Sequence, residues 1–162
     1  MAFLRSINAQ ISTVSKEFRS ALASKEMLIA LFMGIASGFP LLLTKTTLKT
    51  WLREEGVDLT TIGFFAFAGL PYTLKFLWAP FLDRYMPPIF GRRKGWLIIS
   101  QILLVIGIAL MGMNTPKSNI TWVGVFAIWI AFFSATQDIL VDAYRRETLT
   151  DKQLGLGSSL YV

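Results

Sequence analysis

The sequence predicts an all-α integral membrane protein: four transmembrane helices and the start of a fifth. Charged residues make up 16% of the chain and hydrophobic ones 54%. A soluble domain carries roughly 25% charge, and here the charges also cluster, leaving long uncharged runs. Several of those runs approach or reach the ~20 apolar residues that cross a bilayer. The connection between the second and third runs, Asp83-Arg84 followed by Gly91-Arg92-Arg93-Lys94, is short and basic, as loops on the cytoplasmic side of a membrane are.

The first span is expected over residues 27–43. Its helix should continue toward Trp51, because no strong breaker precedes Gly56. The second is expected over 61–82, with Asp58 as N-cap and with Gly69, Pro71 and Pro80 marking irregularity. The third, 96–113, is ended by Asn114-Thr115-Pro116, and the fourth covers 120–141. Residues 154–162 are apolar but too short to span, and read as the first turns of a further helix. The chain thus reads as an arm, 1–25, followed by part of a bundle, 26–162. In the arm, Phe3, Leu4, Ile7, Ile11, Val14, Phe18 and Leu22 recur at three- and four-residue steps. That stripe suits an amphipathic helix on the inner leaflet; the other reading is a mobile leader whose pattern is accidental.

The Lys and Arg distribution sets the topology. The arm, the loop after span two and the segment after span four hold eleven of these cations, from Arg5 to Lys152, whereas Lys45, Lys49, Arg53 and Lys117 lie on the other side. The N-terminus is therefore expected in the cytoplasm. The net charge of +6 needs no nucleic-acid partner once basic residues flank spans. With no cysteine and no histidine, disulfides, thiol catalysis and the usual zinc sites are excluded. No nucleophile–base or metal-binding constellation is visible, so neither an enzyme nor a cofactor is expected. No cleavable signal peptide opens the chain, so the first span is expected to act as the targeting signal.

Polar groups within the spans are the candidate functional residues, since a charge near the bilayer centre costs about 3 kcal/mol. Lys75 lies eight residues before Asp83 and Asp138 seven before Arg145, which sets both about 12 Å or a little less above the inner boundary at ~1.5 Å per residue. Spans two and four run in the same direction, so Lys75 and Asp138 can pair, with the Gln137 amide beside them. Asp138 then either handles a proton or simply joins two helices. Asp142 is one turn below, near Arg145 and Arg146. In span one, Gly34 and Gly38 permit close helix approach, Pro40 should bend the helix, and Lys45, Lys49 and Arg53 continue the stripe outward. These cations either guide an anionic solute or are merely solvated.

The inner loop resembles the major facilitator signature Gly-x-x-x-Asp-Arg-x-Gly-Arg-Lys, with alanine at Ala79 in place of the leading glycine and six residues between Arg84 and Gly91. Those departures resemble the AmpG-type muropeptide permeases and the related acetyl-CoA transporters. So do Gly34-Ile35-Ala36-Ser37-Gly38-Phe39-Pro40-Leu41, Thr61-Ile62-Gly63-Phe64-Phe65, Lys75-Phe76-Leu77-Trp78-Ala79-Pro80 and Ser134-Ala135-Thr136-Gln137-Asp138-Ile139, in collinear order. The resemblance implies the N-terminal part of a major facilitator bundle, in a proton symporter of the bacterial inner membrane. It implies import of anhydro-muropeptides, each a sugar linked to an acidic peptide, and it requires the rest of the bundle for function. Asp138 and Lys75 would couple the proton. Lys45, Lys49 and Gln137 would meet substrate. Asp83, Arg84, Gly91, Arg92 and Arg93 would form an inner gate. A permease for another bulky anion such as an acyl-CoA, and an inactive or scaffolding fragment, are the alternatives.

Overall fold

The computed structural model describes residues 25–85 and 92–148. Of the surface helix expected in residues 1–25, residues 1–24 lie outside the described residues, as do Gly91, the side chain of Arg92 and the apolar stretch 154–162. The chain divides into two compact units, one of Ala36–Tyr144 and one of Met1–Ile35 with Arg145–Val162. Ser37, Tyr72, Lys75, Asp83 and Asp138 all lie in the first of these. All regular structure among the described residues is helical.

Helix α1 (Lys25–Leu42) runs through Pro40 into a π-helical turn at Leu43–Thr47, and α2 (Leu48–Glu54) follows directly. The helix does continue past Trp51, as the lack of a breaker predicts. Pro40 has no N–H to give to the preceding turn, and the wide π turn just after it absorbs the irregularity. The Thr44 hydroxyl donates to the Pro40 carbonyl at 3.0 Å, supplying a partner within the changed register. The helix ends at Gly56, whose φ of 75° suits a residue without Cβ. There the Gly56 N–H bonds the Arg53 carbonyl and the Val57 N–H the Leu52 carbonyl, both at 3.0 Å, the paired closure of a helix C-terminus.

Asp58 is the N-cap of α3 (Leu59–Phe64), accepting from the Thr61 amide at 2.8 Å and from its hydroxyl at 2.7 Å. The amide bond first, then the hydroxyl, holds the Asp58 carboxyl below the ordinary carboxylate range. The cap's contribution is therefore complete above the unfolded pKa and is lost as pH falls through the lowered folded one. The rest of the second span is a series of short pieces: a 3-10 turn Phe65–Gly69, α4 (Leu70–Leu74), a second 3-10 turn Lys75–Leu77, and α5 (Ala79–Arg84). Pro71 and Pro80 sit at the starts of α4 and α5, where a missing N–H breaks no bond.

Helix α6 (Arg92–Gly112) is continuous and starts a turn before the expected Trp96. The Asn114 side chain closes its end on the Leu110 carbonyl at 2.7 Å. Helix α7 (Pro116–Thr148) contains one non-helical residue, Asn119, so the long run begins at the expected Ile120 and extends past Val141. Among the described residues three helices are long and apolar enough to cross a membrane: Leu31–Glu54, Arg93–Gly112 and Pro116–Thr148. The expected second span is not a single helix of that length.

The core joins Leu48 and Leu52 of α2, Ala68, Leu104 and Met111 of α6, and Val123, Ala127 and Ile130 of α7. Close approach falls at Gly107 rather than at Gly38. A Cβ on Gly107 would lie 2.7 Å from the Trp129 ring, while one on Gly38 would meet nothing within 4 Å. Trp129 is itself held by an N–H bond to the Leu103 carbonyl at 3.0 Å. Phe39, Phe64, Phe76 and Val105 are each more than half exposed, whereas Ser37, Ser100 and Ser134 are buried. Apolar groups outside and hydroxyls inside suit a bundle whose solvent is lipid.

Candidate functional site

On α7, Ser134, Gln137 and Asp138 stand at positions i, i+3 and i+4 and share one face. Ser134 and Gln137 are buried, at 0% and 2% exposure. The expected partner reaches them: Lys75 Nζ lies 4.0 Å from Asp138 Oδ2, with the Lys75 side chain 37% exposed and that of Asp138 15%. The ammonium thus sits at the edge of the cluster and the carboxylate inside it. The other carboxylate oxygen, Asp138 Oδ1, accepts a hydrogen bond from the Ser37 hydroxyl of α1. One carboxylate therefore ties spans one, two and four together. A buried carboxylate is tolerable only with such partners, and Ser37, itself fully buried, finds its own need met in the same bond.

Tyr72, one turn before Lys75, extends the cluster. Its hydroxyl is buried beside the Ser134 and Thr44 hydroxyls, in a geometry that closes a hydrogen bond with neither. The ring of Tyr72 carries Lys45 Nζ, 5.9 Å from its centroid, a cation–π distance. Lys45 therefore adjoins the cluster. Lys49 and Arg53 are exposed on α2, beyond the π turn that changes the helical phase from α1. Below Lys75, the Trp78 N–H donates to Thr136 Oγ at 3.1 Å, and Thr136 donates in turn to the Phe132 carbonyl at 2.8 Å. The irregular second span is pinned to α7 at this level.

At the expected inner gate, Arg93 Nη1 meets Asp83 Oδ1 at 2.6 Å. The carboxylate holds the start of α6 through the Arg93 side chain. Arg84 is exposed at the end of α5. The Trp96 N–H adds a bond to the Tyr85 carbonyl at 2.8 Å. Sequence reasoning had brought Lys75, Gln137 and Asp138 together but had missed Ser37, Tyr72, Thr44 and Ser134. The available signal was a hydroxyl in an apolar span, which must find a partner inside the protein.

Residues 26–162 match the family described as Acetyl-coenzyme A transporter 1. The chain is 48% identical over 134 residues to a protein of Escherichia coli (strain K12) named anhydromuropeptide permease, covering 83% of this chain and 27% of that protein. It is 43% identical over 149 residues to an uncharacterized protein of Haemophilus influenzae, covering 92% of this chain and 35% of that one. It is 34% identical over 143 residues to the putative transporter AmpG 1 of Rickettsia bellii, covering 86% and 35%. The chain spans about a third of the length of these curated relatives. Those with a functional name are named permeases or transporters, not enzymes.

Proposed function

The chain belongs to the family described as Acetyl-coenzyme A transporter 1, and from that premise we propose that it forms the N-terminal part of a proton-coupled permease. That permease imports anhydromuropeptides across the bacterial inner membrane for cell-wall recycling. The observation that carries the reading is Asp138, a carboxylate inside an apolar bundle, held between Lys75 at 4.0 Å and the Ser37 hydroxyl. Such a residue is functional by default. Deprotonated, it pairs with Lys75 and accepts from Ser37. Protonated, it loses the charge that holds Lys75, and the contacts between the first two spans and α7 weaken. Binding and release of one proton thus bias how those spans pack. The second span, broken though it is, completes four crossings, so both the N-terminus and the segment after α7 face the cytoplasm. Reporter fusions check this: alkaline phosphatase placed after Lys117 should be active, and after Lys152 inactive.

The relative named anhydromuropeptide permease, at 48% identity, favours a muropeptide over an acyl-CoA, and Lys45 beside Tyr72 suits the acidic peptide. The test is uptake of labelled anhydromuropeptide into vesicles carrying the full-length protein, driven by an imposed pH gradient. Accumulation that collapses with the gradient supports the reading. Its absence, or uptake of acetyl-CoA in place of muropeptide, overturns it.

A further inference from the structure

Among the described residues, three buried side-chain oxygens of the cluster close no hydrogen bond of ordinary geometry, Tyr72 Oη, Ser134 Oγ and Gln137 Oε1, although the Tyr72 and Ser134 hydroxyls stand within reach of each other. Buried polar atoms are nearly always satisfied, and leaving one unpaired is costly. Here three such atoms come from two facing elements. Tyr72 projects from α4 to Ser134 on α7, and Gln137 lies one turn along the same face of α7. They adjoin the charged pair without being consumed by it, since Asp138 is engaged by Lys75 and Ser37.

We propose that Tyr72, Ser134 and Gln137 form an uncharged hydrogen-bonding subsite that takes the hydroxyl- and amide-bearing sugar portion of the substrate; this rests on the permease reading above. Two hydroxyls that each donate and accept, and one carbonyl oxygen that only accepts, carry no charge with which to favour an anion. They suit a neutral group rich in O–H and N–H. The cations at the edge, Lys75 and Lys45, are left for the acidic part. Specificity is then divided: neutral contacts inside recognise the sugar, and charge outside recognises the peptide. A site built to hydrogen-bond a ligand rejects analogues that leave its buried groups unpaired.

The test uses the full-length permease with Tyr72→Phe, Ser134→Ala and the double substitution, each removing one oxygen per site and little volume. Uptake of labelled muropeptide is measured against two competitors, the sugar moiety without peptide and the acidic peptide without sugar. Each single change should raise KM roughly tenfold, the loss of one good hydrogen bond, with the maximal rate held within about twofold of wild type. Inhibition by the free sugar should weaken in parallel, and inhibition by the free peptide should not change. Melting of the solubilised protein should be unchanged or slightly raised, because the deleted oxygens close no ordinary hydrogen bond in the structure and their burial is itself costly. If KM is unchanged, the subsite is overturned. If the single variants are destabilised, the double variant regains stability, and KM stays at the wild-type value, the two hydroxyls are a packing pair and the subsite is overturned as well. Absence of uptake by the wild type would remove the permease reading and the subsite together. Uptake with equal weakening of both competitors would remove the subsite alone.

Discussion

The first two spans and the last two are built on different principles. Helix α6 and the long run of α7 are continuous and lock together at Gly107, where there is no room for a Cβ against Trp129. Over residues 43–84 the first two spans are interrupted by one π turn and two 3-10 turns, with restarts at Pro71 and Pro80. The candidate site lies between these styles. Asp138, Gln137 and Ser134 stand on the regular helix, Tyr72 and Lys75 come from the broken second span, and Ser37 comes from α1 one turn before Pro40. Fixed groups on a rigid helix and adjustable groups on deformable ones are what a transporter needs to change its packing around a constant centre.

The largest effect expected is at the junction itself. In the full-length protein Asp138→Asn should abolish uphill uptake, since the amide keeps the shape but carries no exchangeable proton; equilibrium exchange should survive. Measured in vesicles with and without a pH gradient, this separates coupling from packing. If Asp138 only pairs with Lys75, Asn leaves an unpaired ammonium, which costs a few kcal/mol. In that case Lys75→Met in the same protein should restore coupled uptake. Restoration in the double variant would end the coupling assignment.

Next in size are two substitutions that should act oppositely in the two halves. Gly107→Ala drives a methyl into Trp129, which cannot retreat while its N–H holds Leu103. A loss of about 1–3 kcal/mol is expected, read as a lower melting point in detergent, with uptake falling in proportion to folded protein. Pro40→Ala instead restores an N–H where the helix lacks one. Its melting point should stay the same or rise, while uptake slows roughly fivefold if straightening adds about 1 kcal/mol to the conformational barrier. Equal behaviour of the two variants would erase the distinction between a rigid and a deformable half.

How much of this was legible in the sequence follows the same division. The regular spans are visible because uncharged length is all they need. Lys75 and Asp138 could be paired beforehand because a charge in lipid demands a partner, and counting residues to the nearest boundary fixes its depth. Pro40, Pro71 and Pro80 announced irregularity, but a proline states only that an N–H is missing. Whether the chain answers with a π turn or a 3-10 turn depends on packing against neighbours. Ser37, Tyr72 and Ser134 stayed hidden because uncharged polar residues are common in apolar spans and their pairing depends on helix rotation. Lys45 lies over the Tyr72 ring, whereas Lys49 and Arg53 are exposed on α2 beyond the Leu43–Thr47 π turn.

The smallest effect belongs to the proposed inner gate. The sequence groups Asp83 with Arg84, Gly91, Arg92 and Arg93 as an inner gate without assigning Asp83 a partner among them. Arg93 makes the 2.6 Å contact, with its own side chain 14% exposed and that of Asp83 56% exposed. A pair this wet contributes on the order of 0–1 kcal/mol, so Asp83→Asn should leave the melting point nearly unchanged. Because the pair joins the end of α5 to the start of α6, and so the deformable half to the rigid one, its loss should show in kinetics. A shift of up to about 1 kcal/mol between inward- and outward-facing states changes uptake by no more than roughly fivefold. The difference from wild type should shrink at high ionic strength, where a half-exposed pair is screened. Exchanging the charges, Asp83→Arg with Arg93→Asp, should recover most of the rate. An effect of Asp83→Asn as complete as that of Asp138→Asn, or one that the exchange leaves untouched, would mean that the carboxylate does something other than latch the two halves.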